Sequence, residues 1–383
     1  MADESNNQGT NTSGSSILDD VLTQQMEAER EDFDPARVVS HLLATLPLRA
    51  RNIVSERFGL GGKPKQTLEE LGKAYNITRE RVRQIESNAL LTFAEAKSRV
   101  LLEPSEKLIH SILYENGEIM EEDKLIATLL DEERKTSANK NILLFILEFI
   151  PEFSYVAANH EMKAAWSLKG IGVDRARSAI EVLEKYFNEH PSPLSESQLE
   201  TLLQDNEELK KHIPSANVKA LLSYMNLSKK LARNPFGQWG LSSWDMVVPK
   251  GVRDKAYLVM KEHKKPLHFT KITELINKTG FDKRVAHPQT VHNELIKDNR
   301  FVLVGRGIYA LKEWGYGEGT VADILIRILK DASGPMGREE LIEKVLKQRM
   351  VKRNTIIIGL QDKELFERVA GNKYTLKNKN QPS

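Results

Sequence analysis

Gln66-Thr67-Leu68-Glu69-Glu70-Leu71-Gly72-Lys73-Ala74-Tyr75-Asn76-Ile77-Thr78-Arg79-Glu80-Arg81-Val82-Arg83-Gln84-Ile85-Glu86 is the stretch that decides how this chain is read. Thr67 followed three residues later by Glu70 is the pattern in which a hydroxyl and a carboxylate cap a helix start reciprocally. Thr78 stands at a second N-cap position, so two short helices are expected to begin at defined residues. Gly72 lets the helices approach closely and Tyr75-Asn76-Ile77 makes a tight connection, which together describe a helix-turn-helix. On the second helix Val82 and Ile85 are expected to face inward, leaving Arg79, Glu80, Arg83 and Gln84 outward near the helix start. These side chains suit base edges in a major groove: arginine to guanine, glutamine to adenine, glutamate to the amino group of cytosine. The same charges are also spaced to pair along the helix, Arg83 with Glu80 or Glu86, and the residues alone leave both readings open.

Outward from this stretch, Val38, Leu42, Leu43, Leu46, Ile53, Val54 and Phe58 before it and Leu90 after it continue a three- and four-residue periodicity, the mark of amphipathic helices. A compact helical domain over 35–102 follows. Residues 1–34 are rich in Asn, Ser, Gly, Thr and acids and predict a flexible acidic arm. Within it Ile17, Val21, Leu22 and Met26 could form a short docking helix or stay solvated.

Beyond residue 102 an internal repeat emerges when aromatic-x-Leu triplets are aligned: Trp166-Ser167-Leu168, Trp239-Gly240-Leu241, Tyr309-Ala310-Leu311 and Tyr374-Thr375-Leu376, at spacings of 73, 70 and 65 residues. The last two end clear hairpins, Phe301–Val304 with Ile308–Leu311 around Gly305-Arg306-Gly307, and Phe366–Val369 with Lys373–Leu376 around Gly371-Asn372. Three helices and a terminal hairpin per repeat is the order of a winged helix. A generic helical array with incidental hairpins is the alternative. The expected fold class is mainly α, with small β-hairpin wings.

The Leu46-Pro47-Leu48-Arg49, Arg57-Phe58-Gly59-Leu60, Thr67–Gly72 and Thr78–Glu86 segments closely resemble the fourth conserved region of housekeeping-type sigma-70 factors, over about residues 36–96. The resemblance implies a domain that binds the −35 promoter element and packs on the flap of the RNA polymerase β subunit. By position it makes Arg79, Glu80, Arg83 and Gln84 base readers and Arg49, Arg57 and Thr67 phosphate contacts. Asn88 stands where the family is often basic, and nothing before residue 35 resembles the family's promoter-melting second region.

A second resemblance covers about 252–316, through Arg253–Tyr257, Lys265–Phe269, Ile272–Ile276, Val291–Leu295 and Arg300–Leu311. It is similar to the HARE-type helix-turn-helix, a winged helix found in the delta subunit of some bacterial RNA polymerases, in chromatin factors and beside restriction nucleases. Thr290, His292, Asn293 and Lys297 would lie on its recognition helix, and Arg306 at its wing tip, able to reach phosphate or a minor groove. Arg306 as a solvated turn residue, in a module that binds protein, is equally consistent with the residues.

The expected domain map is an arm (1–34), a sigma region 4-like domain (35–102), winged helix-like modules (103–170 and 171–248), a HARE-type winged helix (249–316), a fourth winged helix-like module (317–378) and a tail (379–383).

Other chemistries find little support. The 383 residues hold no cysteine, which excludes disulfides, thiolate metal sites and cysteine nucleophiles. Gly61-Gly62-Lys63-Pro64 is no phosphate loop, because Arg57 stands where the first glycine is needed and Pro64 where Ser or Thr would hold magnesium. His287 and His292 lack further ligands, and the acidic clusters Glu121-Glu122-Asp123 and Asp131-Glu132-Glu133 read as solvated faces. The apolar run Ile142–Ile150 is too short for a membrane span and is expected to be the buried third helix of a winged module, or else a partner-binding surface. Basic stretches at Lys261–Lys265 and Lys347–Arg353 could track a DNA backbone or be solvated faces. Net charge is +2 and mean hydropathy −0.44. The reading is a cytoplasmic transcription factor without catalysis, cofactor, metal or membrane contact, whose partners are promoter-like double-stranded DNA and RNA polymerase. A polymerase accessory subunit or protein-interaction scaffold is the alternative, and a regulatory component of a nuclease or defence system a third.

Overall fold

The computed structural model describes Ala28, Arg30, and residues 33–62, 64–169 and 171–377. Most of the expected arm with its Ile17–Met26 stretch, and the tail, lie outside the described residues. The fold is mainly α, with helix-turn-helix domains and small antiparallel hairpin sheets. The chain divides into two compact units, Met1–Pro191 with Ser197–Leu231, and Ser192–Glu196 with Ala232–Ser383.

In the first unit, α1 (Pro35–Ala44) starts where Asp34 accepts a hydrogen bond from the Arg37 amide and Pro35 supplies a first-turn residue with no N–H to satisfy. α2 (Leu48–Phe58), α3 (Leu68–Tyr75) and α4 (Arg79–Ala94) follow. Residue 102, a boundary on sequence grounds, lies inside the continuous helix α5 (Ala96–Glu115). Leu102, Leu108, Ile109, Ile112 and Leu113 on this helix are buried together with Phe33, Leu42 and Phe93 before it and Leu125, Leu143 and Phe145 after it. One core therefore spans the helix-turn-helix domain and the module that follows.

That module continues through β1 (Ile119–Glu121), α6 (Glu122–Leu129), α7 (Ser137–Phe149), β2 (Phe153–Val156) and β3 (Ala165–Leu168). Its sheet has the order β1-β3-β2, all antiparallel, with Trp166 opposite Met120 on one side and Tyr155 on the other. α8 (Val173–Glu189), α9 (Glu196–Asp205), α10 (Glu207–His212) and α11 (Val218–Leu227) come next; the hairpin β4 (Leu231–Arg233) and β5 (Trp239–Leu241), with a bridge from Leu194 to Trp239, follows and, apart from Leu231, belongs to the second unit.

The second unit holds two full modules. One has α12 (Val252–His263), β6 (Leu267–His268), α13 (Phe269–Thr279), α14 (Pro288–Lys297), β7 (Phe301–Gly305) and β8 (Ile308–Leu311). The other has α15 (Val321–Asp331), β9 (Met336–Gly337), α16 (Arg338–Gln348), α17 (Arg353–Gly359), β10 (Phe366–Val369) and β11 (Lys373–Leu376). Their sheets run β6-β8-β7 and β10-β11-β9. Each aromatic-x-Leu triplet thus falls in the strand that pairs on both sides, which is why Trp166, Trp239 and Tyr309 are buried. A central strand meets neighbours at both edges and a core on one face, so a large aromatic with a leucine two residues on, buried at Leu168 and Leu311 and partly buried at Leu241 and Leu376, fits that pleat.

Candidate nucleic-acid interface

The helix-turn-helix is built by local capping. Thr67 Oγ1 accepts from the Glu70 amide (3.2 Å), while Glu70 Oε2 accepts from the Thr67 amide (2.7 Å), so α3 starts where the sequence places it. α3 ends on Asn76 in the left-handed conformation (φ 52°), a backbone state that asparagine tolerates better than most residues. Thr78 Oγ1 then accepts from the Arg81 amide (3.1 Å) and starts α4. The turn packs directly on Gly72, where a Cβ would lie 2.9 Å from the Ile77 carbonyl oxygen. A larger residue there forces the helices apart. Ile53, Leu71 and Val82 are fully buried between α2, α3 and α4, flanked by Leu68, Tyr75, Ile77 and Ile85. Three such side chains contribute about 1.5–3 kcal/mol each, too little against about 1–2 kcal/mol per ordered residue. The motif is held because α4 continues into the larger core through Ala89 and Phe93.

Arg79, Glu80, Arg83 and Gln84 are all exposed near the start of α4, with Val82 buried behind them. They are already ordered against one another. Arg83 donates from Nη2 to Glu80 Oε1 (2.6 Å) and from Nε to Oε2 (2.9 Å), and Arg81 donates from Nη1 to Gln84 Oε1 (3.1 Å). Of the two pairings open to Arg83, the structure has the one with Glu80. The hydrogen bond from Arg83 holds the Glu80 carboxyl below its ordinary range, and the pairing raises the guanidinium in turn. A face of this kind offers two cations, one carboxylate and one amide within two turns, and the Glu80–Arg83 bonds must loosen or be reused when a base edge arrives. Arg81, exposed on the same helix and bonded to Gln84, was missed as a candidate; its signal was its place three residues before Gln84, within bonding reach along the helix.

The expected phosphate contacts fare unequally. Arg49 is exposed and donates to the Tyr75 carbonyl (3.2 Å), next to the turn. Thr67 is exposed, its hydroxyl engaged in the cap. Arg57 is turned into the domain: Nη1 donates to the Gln66 carbonyl (3.1 Å), and Nε lies 3.4 Å from Glu86 Oε1, an ion pair without hydrogen-bond geometry, with the Glu86 side chain 15% exposed. It ties α2 to α4.

In the second unit, α14 buries only Val291 and Leu295 and exposes Thr290 and Asn293. Asn293 Oδ1 accepts from Gln289 Nε2 (3.2 Å), and Lys297 pairs loosely with Glu294 (3.7 Å). His292 is half-buried: Nδ1 is 3.0 Å from Tyr309 Oη, and the ring lies 4.7 Å from that of Phe269. It braces α14 on the wing strand β8. Arg306 is exposed in the turn between β7 and β8. Among the described residues no group of histidines and carboxylates suited to a metal ion is found, and no helix is long and apolar enough to cross a membrane.

The geometry defines a helix-turn-helix with an exposed polar second helix, joined to winged helices. Comparison with known proteins agrees: residues 42–92 match the family model "Sigma-70, region 4", and residues 252–314 match the HARE-HTH model, the helix-turn-helix domain of ASXL proteins and restriction endonucleases. The chain therefore carries a sigma-70 region 4 domain and a HARE-type helix-turn-helix domain. Similar curated proteins include the RNA polymerase sigma-C factor of Nostoc sp., 39% identical over 89 residues, covering 23% of this chain and 21% of that one. The RNA polymerase sigma factor RpoS of Coxiella burnetii is 44% identical over 72 residues, 16% of this chain and 20% of the relative. The sigma factor SigA1 of Synechococcus elongatus is 49% identical over 49 residues, 13% and 12%. The chain thus matches about a fifth or less of the length of these relatives.

Proposed function

We propose that this protein is a sequence-specific DNA-binding transcription factor that reads a −35-type promoter element through α4 and contacts RNA polymerase, without a catalytic step of its own. The observation that carries the reading is the exposed face of Arg79, Glu80, Arg83 and Gln84 on a helix anchored by Val82, Ala89 and Phe93. Sigma factors supply the matched relatives, and that supports the polymerase partner. Arg49 and Thr67 flank the face as phosphate contacts; Arg57 acts one step back, holding α2 against α4.

Selection of the full chain on a randomised duplex pool tests this directly. Enrichment of a short motif that blurs at one or two positions in Arg83→Ala and Gln84→Ala is the expected result, each good base contact being worth about 1–3 kcal/mol of discrimination. Failure to enrich any motif would overturn it.

A second reading has its own support for part of the chain. The helices that lead into the wings of the first two winged modules, α7 and α11, are used up in packing, so those modules serve as scaffold, as an accessory subunit would.

A further inference from the structure

The basic stretch Lys347–Asn354 holds four cations and no carboxylate, and the fold places it against the wing of the HARE-type module. β7 is the edge strand of its sheet. Its free edge is met by the chain leaving α16: the Met350 amide donates to the Val304 carbonyl (2.9 Å), and a Cβ on Gly305 would lie 2.8 Å from the Met350 carbonyl oxygen. Gly305 is needed for this approach. The contact covers an otherwise open strand edge and brings two separate segments side by side, Gly305-Arg306 at the wing tip and Met350-Val351-Lys352 leading into α17.

The side chains along this seam divide into anchors and free cations. Arg349 donates to the Gly319 carbonyl, and Arg353 pairs with Glu339. Arg306 and Lys352 are exposed and, among the described residues, have no carboxylate partner. Asn354 and Thr355 follow, exposed on α17, whose one buried residue is Ile356. The other basic stretch does not join them. Lys261 is bound to Glu313 (3.0 Å), and Lys265 precedes β6, whose pairing of Leu267 with Tyr309 and His268 with Ile308 puts it at the sheet end away from Arg306.

We propose that the wing of the HARE-type module and the entry to α17 form one composite surface for the backbone of double-stranded DNA, with Arg306 and Lys352 as its phosphate contacts and Asn354 and Thr355 beside them. Phosphate contacts call for exposed cations not already neutralised by a carboxylate, and the Met350–Val304 bond sets the strand that ends at the wing tip against the segment that leads to Lys352. This surface lies outside α4 and depends on the proposed function only in that the chain meets duplex DNA.

The test is the salt dependence of full-length protein binding to a labelled duplex of scrambled sequence. Replacing Arg306 and Lys352 together by alanine should lower affinity on the order of tenfold and reduce the slope of log K against log salt by about 2, at roughly 0.9 per phosphate released. Both side chains are exposed, so the melting temperature should not move. Gly305→Val, which leaves both cations in place, should give part of the same loss by opening the seam. An unchanged slope in the double variant overturns the proposal. So does a double variant that keeps its slope and instead loses retention on RNA polymerase, because the surface then binds protein. The motif-selection experiment with Arg83→Ala reports on α4 alone, so either site can fail while the other stands.

Discussion

α7 and α14 hold the same place in the same topology, the third helix before a wing, and they do opposite things. α7 carries Ile142, Leu143, Phe145, Ile146 and Leu147, all buried, and Phe145 meets Phe58 and Phe93 of the helix-turn-helix domain edge-on at 4.9 and 6.1 Å. α14 buries Val291 and Leu295, half-buries His292 and Glu294, and exposes the remainder. α11 sides with α7: Ser223 Oγ donates to the Ile119 carbonyl (2.7 Å) and Tyr224 Oη to the Gly117 carbonyl (2.8 Å), fixing the helix on β1. α17 sides with α14. One architecture thus becomes scaffold when its third helix is apolar around its circumference, and a candidate reader when it is apolar on one stripe.

Phe145→Ala puts the largest strain on this contrast. It should cost about 3–5 kcal/mol, and because α4 and α7 share a core, far-UV and near-UV signals of the first unit should fall in one denaturant transition. Separate transitions would mean that the helix-turn-helix stands alone. Tyr224→Phe should cost about 1–2 kcal/mol by leaving the buried Gly117 carbonyl unpaired. Burial, aided by Glu118, pushes the Tyr224 hydroxyl up to about 12. The folded state then holds this proton more tightly than the unfolded chain, whose tyrosines ionise near 10. The stabilisation is complete below pH 10 and is lost as pH rises towards 12. Burial also raises Tyr309 and Tyr75, so ultraviolet titration should show a late-ionising tyrosine component that Tyr224→Phe reduces. Thr78→Ala should cost about 1 kcal/mol through the lost cap of α4, read as a lower urea midpoint. Asn293→Ala on α14 should change stability by less than about 0.5 kcal/mol; a larger loss would put α14 with α7.

What the sequence made legible was local. Caps at Thr67, Glu70 and Thr78 involve residues three apart, and the aromatic-x-Leu repeat marks a strand whose environment recurs, so both could be read without knowing the fold. The run Ile142–Ile150 announced burial, but what covers it, Phe58 and Phe93 from another domain, depends on a path through α5 that no short pattern encodes. Arg57 and His292 show the same limit. Both are polar residues at positions where contact with DNA was expected, and both turn inward because Glu86 and Tyr309, distant in sequence, arrive beside them. Lys352 was visible only as one cation in a run; its exposure and lack of a carboxylate follow from how Met350 seats on β7.

Behind α4 the chain breaks at Glu95 before α5, and it is the aromatic cluster of Phe58, Phe93, Phe145 and Phe149 that packs α4 against the first winged module. Once α4 sits in a groove, the azimuth of the first winged module around the duplex is fixed as well. A cleavage reagent attached at exposed Tyr155, on β2, should therefore cut DNA at a few sharply phased positions instead of leaving the diffuse smear of a tethered domain.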